Sequence, residues 1–174
     1  MRYQGLAFRA HNPFWSFSPL TGDGAKLHGG RFNPVGTAAL YLSLTTTTAL
    51  AEYNQGFPHR PQPSTLCAYD IDCEDIIDLR FPASRNNTGI SLDSLNCPWE
   101  LLVKQGKTPP SWEIVNQLMS NNVAGIIVPS YARNAPKDGA NIVLWKWNNT
   151  TPHQVMLIDD FDRLPRNQLS WAND

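Results

Sequence analysis

Alternating apolar and polar positions, together with short apolar runs, mark out seven segments of this chain as strands. Successive side chains of a strand point to opposite faces, so an alternating run can bury one face. In the first run, Leu6 and Phe8 fall on one face while Ala7 and Arg9 fall on the other. The segments predicted as strands are 5–9, 38–43, 65–72, 76–79, 124–128, 141–147 and 154–158.

Helical spacing and capping residues predict three helices. Threonines at 45–48 are good capping residues for a helix over 49–55, and a Ser cap after two prolines opens a helix over 111–121. A third helix is predicted over 99–104. Because strands and helices follow each other without regular alternation, we predict an α+β fold with mixed, mostly antiparallel sheets and flanking helices.

The segments between these elements are rich in glycine, proline and polar residues. Segment 11–30 contains several aromatic residues, so it is either a loop that partly covers a ligand site or one packed on the core edge. Segment 56–64 has three prolines and is predicted as a loop. The polar segment 160–174 is either a loose tail or a docking segment.

The composition is that of an ordinary globular protein. A length of 174 residues, of which 41% are hydrophobic, suffices for one buried core and is short for two, so we treat 1–174 as a single domain. The net charge of −1 and the scattered basic residues argue against a direct nucleic-acid partner. Neither a signal peptide nor an apolar run long enough to span a bilayer is seen, so a cytoplasmic protein without membrane contact is expected.

The three cysteines and the clustered carboxylates give no metal signal. Cys67, Cys73 and Cys97 lack the paired spacing of a zinc site, and we expect them to be reduced and structural. The carboxylates of segment 70–78 would be spread over both faces of their strands. We therefore predict no metal site.

Most of the candidate binding and catalytic residues lie between residues 29 and 52. Gly29 and Gly30 would let the backbone approach a ligand, and Arg31 then offers a planar fork of donors that matches a phosphate. Neither a Walker nor a Rossmann pattern surrounds these glycines. Arg9 is a second candidate anion ligand, although a solvated surface charge would explain it equally well. Basic residues that could also build a phosphate pocket are Lys26 and His28.

Two further candidates are a phenol and a carboxylate. If Leu40 and Leu42 supply the core face of their strand, Tyr41 is turned toward a cleft. On the helix over 49–55, Glu52 shares a face with small and aromatic neighbours. A helical Glu is most often a surface residue, so the spacing alone is a weak signal.

Ser130 stands where a buried strand ends. Polar residues are common in binding sites at such a position, although Ser130 could simply start a turn.

Taken together, these pieces resemble the RES domain family, named for its Arg, Glu and Ser and described as the toxin half of RES/Xre toxin-antitoxin pairs. The compound pattern runs over most of the chain and is more specific than any of its parts. The matching pieces are Gly29-Gly30-Arg31-Phe32-Asn33 with Gly36, Leu40-Tyr41-Leu42-Ser43, Ala49 with Glu52, Trp99, Gly125-Ile126-Ile127-Val128-Pro129-Ser130 and Asn141-Ile142-Val143-Leu144.

The resemblance implies a fold similar to diphtheria-toxin-type ADP-ribosyltransferases and an activity on NAD+, which is the substrate, so no separate cofactor is expected. It implies the catalytic residues Arg31, Tyr41, Glu52 and Ser130. It also implies two partners, an Xre-type helix-turn-helix antitoxin and a second copy of the chain in a homodimer. Residues expected to bind NAD+ are Arg31, Tyr41, Ser43, Asn141 and Arg9.

Each residue then has an expected role in cleaving the nicotinamide ribosyl bond. Glu52 would stabilise the oxocarbenium-like state, and Tyr41 would stack on the nicotinamide. Arg31 would hold the pyrophosphate or the adenosine side, and Ser130 would bind substrate or orient Glu52. The acceptor stays open between water and phosphate. The alternatives are a protein ADP-ribosyltransferase, a noncatalytic domain that binds NAD+ or a partner, and a ribonuclease, which the mild acidity disfavours.

Overall fold

A mixed sheet organises the residues that the computed structural model describes, which are 1–57 and 59–169. In this part of the chain, seven strands form one sheet in the order β4-β5-β6-β2-β1-β3-β7, and only the β4–β5 pair is parallel. The strands are β1 (Tyr3–His11), β2 (Leu40–Ser43), β3 (Thr65–Cys73), β4 (Ile76–Asp78), β5 (Gly125–Pro129), β6 (Ala140–Leu144) and β7 (His153–Ile158).

Short helices flank the sheet, which confirms the predicted α+β class. A 3-10 turn spans Pro13–Trp15. The α-helices of the described residues are α1 (Asp23–His28), α2 (Thr46–Tyr53), α3 (Pro82–Thr88), α4 (Leu92–Leu95), α5 (Trp99–Lys104) and α6 (Pro110–Ser120).

Alternation along the strands divides the core into two apolar clusters. In β2, Leu40 and Leu42 are buried in one cluster, whereas Tyr41 packs against the other. The second cluster includes Val115 and Leu118 of α6. Tyr41 and, by alternation, Ser43 therefore belong to the sheet face that α6 covers.

Three helices differ from the sequence-based assignment. Helix α1 lies inside segment 11–30, which was predicted to be a loop; it has only six residues and ends at Gly29, whose φ of +71° is readily adopted by glycine. The pattern of segment 80–98 predicted no element, yet α3 and α4 form there. Proline at the start of α3 and left-handed Gly89 at its end are ordinary helix boundaries.

The predicted strand over 141–147 is three residues too long at its end. The backbone N–H groups of Trp145 and Lys146 both donate to the carbonyl of Ala124, so the ladder stops in a bend. Strand β1 is instead longer than predicted, because it pairs with β3 over its whole length from Tyr3 to His11.

The cysteines are unpaired and buried, as expected. Several carboxylates of segment 70–78 form ion pairs: Asp72 and Glu74 with Arg2, and Asp78 with Arg80. In the described part of the chain, no three His, Cys, Asp or Glu side chains are grouped as metal ligands would be. No helix of the described residues has the length and apolar character needed to cross a membrane.

The segment that follows β7 begins with a capped turn. The carboxylate of Asp159 accepts hydrogen bonds from the backbone N–H groups of Arg163 and Leu164. Leu164 packs against the first apolar cluster, so the start of the predicted tail is attached to the core. The remainder of that tail, 170–174, lies outside the described residues.

Candidate active site

Arg31 lies in a tight turn closed by an isolated bridge between Gly30 and Asn33. The N–H of Gly30 donates to the carbonyl of Asn33 over 2.9 Å. A Cβ atom at Gly30 would lie only 2.6 Å from the hydroxyl oxygen of Tyr41. Glycine is therefore needed here because a protein side chain, rather than a ligand, approaches the backbone closely.

The Tyr41 hydroxyl holds this turn in place. It donates to Asn33 Oδ1 over 2.7 Å and accepts from the backbone N–H of Phe32 over 3.0 Å. Burial raises the pKa of the Tyr41 hydroxyl above its ordinary value, so it is a neutral donor at physiological pH. The ring faces the cleft, as the alternation of β2 predicted.

Asn33 is fully buried; it was part of the family pattern, but no role in the site was predicted for it. Its amide nitrogen donates to the carbonyls of Ala25 and Thr37 over 2.7 and 2.9 Å. Asn33 thus joins α1, the turn and Tyr41. An Asn-Pro pair favours a turn, but the sequence could not show that tertiary packing buries this amide.

Arg31 is oriented by two kinds of contact. Its Nη1 donates to the carbonyl of Cys97 over 2.6 Å, and its guanidinium carbon lies 4.7 Å from the centre of the Tyr131 ring. Such stacking is favourable because the aromatic face is electron-rich. The guanidinium is thereby fixed at the edge of the cleft.

Glu52 is the centre of a chain of side-chain hydrogen bonds. Ser130 Oγ donates to Glu52 Oε1 over 2.6 Å, and Asn141 Nδ2 donates to the same oxygen over 2.5 Å. Ser43 Oγ in turn donates to Asn141 Oδ1 over 2.7 Å, which fixes the orientation of the Asn141 amide. No donor in the described part of the chain binds Oε2, so this oxygen is left for a ligand.

Strand register brings these polar groups together. Ser43 of β2 lies directly opposite Asn141 of β6, and Asn141 lies opposite Val128 of β5. Ser130 immediately follows β5. Three neighbouring strands therefore present their polar residues at one end of the sheet, where Glu52 meets them.

Two cavities meet at this cluster. The larger has a volume of about 360 Å³ and the smaller about 260 Å³, and both are lined by Tyr41, Glu52, Gln55 and Asn141. Arg9 lines the larger cavity and Arg31 the smaller.

The structure thus brings Arg31, Tyr41, Glu52, Asn141 and Arg9 to one cleft, while Ser130 and Ser43 act on it through their hydrogen bonds. The other basic candidates, Lys26 and His28, are exposed on α1 and are not part of the lining of either cavity as the described residues form them.

A family model for the RES domain matches residues 6–167 of the chain. The chain belongs to the RES domain family. The matched range contains every residue of the cleft named above. A search of curated proteins gave no match.

A solved structure shares the fold of this RES domain. A chain in the crystal structure of the M. tuberculosis MbcT-MbcA toxin-antitoxin complex superposes with a TM-score of 0.61, and the alignment covers 91% of this chain and 84% of that one. The sequence identity is 20%, so the likeness concerns the fold.

The aromatic lining of the smaller cavity in this RES domain was only partly anticipated. Trp99 was part of the family pattern, but Tyr131 was not singled out, although it supports Arg31. Tyr131 lies in an irregular segment, where neither alternation nor helical spacing indicates which way a side chain points. Its hydroxyl is buried without a hydrogen-bond partner among the described residues.

Proposed function

We propose that this RES domain is the toxin of a toxin-antitoxin pair and cleaves the nicotinamide ribosyl bond of NAD+, with water or phosphate as acceptor. The observation that carries the proposal is the position of Glu52. Its carboxylate lies where two cavities meet, and it is held by two donors on Oε1 while Oε2 is open to a ligand.

A carboxylate held in this way suits the chemistry of the bond. The bond between C1″ of the nicotinamide ribose and the nicotinamide nitrogen breaks, and its electron pair leaves with nicotinamide as a neutral base, so no strong general acid is needed. The oxygen of the acceptor then bonds to C1″ and loses its proton. Glu52 can stabilise the oxocarbenium-like state between these steps and position the ribose hydroxyls.

The remaining residues of the cleft orient the Glu52 carboxylate and the substrate. Ser130 and Asn141 hold the carboxylate in one rotamer, which reduces the reorganisation needed to reach the transition state. Tyr41 offers its ring at the junction for stacking against the nicotinamide, while its hydroxyl fixes the Arg31 turn. A dinucleotide is long enough to occupy both cavities with the scissile bond beside Glu52.

The toxin role is proposed from the family and from the neighbour described as a toxin-antitoxin complex. The partner we propose is a small Xre-type helix-turn-helix protein that covers the cleft, together with self-association of the RES domain. Co-expression with the neighbouring gene product and purification of the complex would check this assignment.

The test of the enzymatic proposal is to induce the chain alone in cells and follow NAD+ by mass spectrometry. We expect NAD+ to fall, with nicotinamide and either ADP-ribose or ADP-ribose 1″-phosphate as products, which names the acceptor. Glu52→Gln, which keeps shape and removes charge, should slow cleavage roughly a hundredfold or more. Glu113→Gln makes the same change at an exposed position of α6 and should cleave as wild type does.

Unchanged NAD+ on induction of the wild-type chain would contradict NAD+ depletion. Growth arrest with unchanged NAD+ and an ADP-ribosylated protein would instead establish the protein ADP-ribosyltransferase alternative.

A further inference from the structure

A second carboxylate, that of Glu100, lines the smaller cavity. Glu100 shares this lining with Arg31 and Trp99, whereas Glu52 lies where the two cavities meet. The family pattern and the cleavage of the nicotinamide ribosyl bond both leave Glu100 without a role. The smaller cavity therefore carries one more charged group than the reaction itself requires.

Glu100 is exposed and has no partner in the protein. It stands in the first turn of α5, where a negative charge is favourable beside the helix N-terminus. Lys104 follows four residues later, yet across residues 1–57 and 59–169 the Glu100 side chain forms neither an ion pair nor a hydrogen bond. Both of its carboxylate oxygens are thus free to accept hydrogen bonds from a ligand.

The segment that carries Glu100 also orients Arg31. The carbonyl of Cys97 accepts a hydrogen bond from Arg31 Nη1 over 2.6 Å and another from the backbone N–H of Trp99 over 2.8 Å. The position of Arg31 is therefore coupled to the start of α5. A ligand that binds Arg31 from the smaller cavity also comes close to Trp99 and Glu100.

Arg31 still has donors for an anion. Its two hydrogen bonds to backbone carbonyls both use Nη1, and in the described part of the chain Nε and Nη2 have no acceptor and are not sealed from solvent. Arg9 reaches the larger cavity from β1, but it alternates with Phe8, so its side chain lies with Ala7 on the opposite face of the sheet. The diphosphate of a dinucleotide is therefore best bound in the smaller cavity, by Arg31.

We propose that Glu100 binds the adenosine ribose and makes this RES domain select NAD+ against NADP+, an inference that rests on the proposed function for the identity of the substrate. The nicotinamide ribose then lies at Glu52, where the cavities meet. The diphosphate and the adenosine ribose lie in the smaller cavity, beside Arg31 and Glu100. Trp99 offers its ring to the adenine, and the nicotinamide points toward the larger cavity.

A carboxylate distinguishes the two dinucleotides by hydrogen bonding and by charge. It accepts hydrogen bonds from the 2′- and 3′-hydroxyls of the adenosine ribose in NAD+. NADP+ carries a phosphate in place of the 2′-hydroxyl, and a neighbouring carboxylate repels this anion. Because Glu100 is exposed, dissolved salt screens the repulsion, so the selectivity should decline as ionic strength rises.

The first test compares kcat/KM of the full chain for NAD+ and NADP+, measured by release of nicotinamide at fixed ionic strength. Wild type should prefer NAD+ by about tenfold or more. Glu100→Gln removes the charge and should reduce this preference several-fold. Glu100→Arg should reduce it further, because a guanidinium accommodates a 2′-phosphate. Glu113→Gln makes the matched change on α6, outside both linings as the described residues form them, and should keep the wild-type preference.

Binding of the reaction products gives the same comparison without catalysis. ADP-ribose and 2′-phospho-ADP-ribose are titrated calorimetrically into wild type and the Glu100 variants. Wild type should bind ADP-ribose about tenfold more tightly or more, and Glu100→Gln should narrow this difference. Added salt should narrow it more in wild type than in Glu100→Gln. A purely structural role of Glu100 would weaken both ligands alike and leave their ratio unchanged.

Each outcome of these measurements is decisive. Equal affinity of wild type for the two ligands overturns the proposal, as does an unchanged ratio in Glu100→Gln or the absence of binding by wild type. A chain that binds ADP-ribose selectively through Glu100 but leaves NAD+ intact would refute the proposed function and keep the adenosine site. Cleavage of NAD+ with an unchanged ratio in the Glu100 variants would do the reverse.

Discussion

The hydroxyl of Tyr41 has two partners, Asn33 and Phe32, within the turn that carries Arg31. Removing it as Tyr41→Phe leaves a buried acceptor and a backbone N–H unsatisfied, which costs about 1–3 kcal/mol for each group that water cannot reach. We expect the free energy of unfolding in urea to fall by about 2 kcal/mol or more, and NAD+ cleavage to slow because Arg31 loses its fixed position.

Tyr53→Phe is the matched control. The Tyr53 hydroxyl donates to the carbonyl of Pro63 in an exposed position, so its removal should change the free energy of unfolding by about 0.5 kcal/mol or less. Equal losses in the two variants would show that the Tyr41 hydroxyl does not stabilise the turn.

At the level of single residues, the sequence predicted the face to which a side chain points better than the groups that it contacts. The alternation of β2 correctly predicted that Tyr41 points to the face opposite Leu40 and Leu42. It could not indicate that Asn33 would meet the hydroxyl, or that Ser43 would act on Glu52 through Asn141, because these contacts depend on tertiary packing and strand register.

Helix α2 carries Glu52, and its start is fixed by one side chain. Thr45 Oγ1 accepts a hydrogen bond from the backbone N–H of Thr48 over 3.2 Å, as the predicted cap requires. We expect Thr45→Ala to lower the free energy of unfolding by about 1 kcal/mol and to reduce the rate of NAD+ cleavage, because the helix that positions the carboxylate frays.

Helix α4 offers a control for this effect. Ser91 caps α4 through the same kind of bond, to the backbone N–H of Ser94. Ser91→Ala should lower the free energy of unfolding by a similar amount while leaving NAD+ cleavage unchanged. Loss of activity in both variants would mean that reduced stability alone explains the effect.

At the level of elements, prediction succeeded where a pattern was long or had a clear boundary. Helix α5 matches its predicted range, and α6 begins one residue before its own. Helix α4 has only four residues, and α1 lies between Gly22 and Gly29 in a segment rich in glycine and proline, so neither shows a helical pattern in the sequence.

The stability of the whole molecule should depend on His11. Its side chain is 7% exposed, and its Nε2 forms a hydrogen bond of 2.6 Å with the Tyr69 hydroxyl, which also lies 3.1 Å from the carbonyl oxygen of Pro19. Its pKa is lowered from 6.5 to about 4 by burial first and by Arg9 second. Between these values the unfolded chain binds a proton that the folded chain does not, so stability falls as pH falls through this window, by up to about 3 kcal/mol.

Urea unfolding between pH 7 and pH 4 checks this dependence. Carboxylates also titrate near the lower limit, so the relevant quantity is the difference between wild type and His11→Asn, whose stability should vary less with pH. His59→Asn removes an exposed histidine and should follow the wild-type curve. A His11→Asn curve parallel to wild type would contradict the assignment.

The fold class could be predicted from the sequence, whereas the order of strands could not. Counting strands and helices was enough to predict an α+β protein with mostly antiparallel pairing. The position of β1 between β2 and β3, and the parallel pairing of β4 with β5, depend on contacts between segments far apart in the chain. The cleft results from that order, because it places β1 next to β2.

The single residue pair that joins β1 to β2 divides the sheet into two mechanical halves, β4-β5-β6-β2 and β1-β3-β7. Arg9 belongs to the second half, whereas Tyr41 and Asn141 belong to the first. A ligand that binds residues of both halves would hold them together at the point where few backbone hydrogen bonds do. Ligand binding in the cleft should therefore make the sheet more rigid, and a more rigid sheet should bind the ligand more tightly.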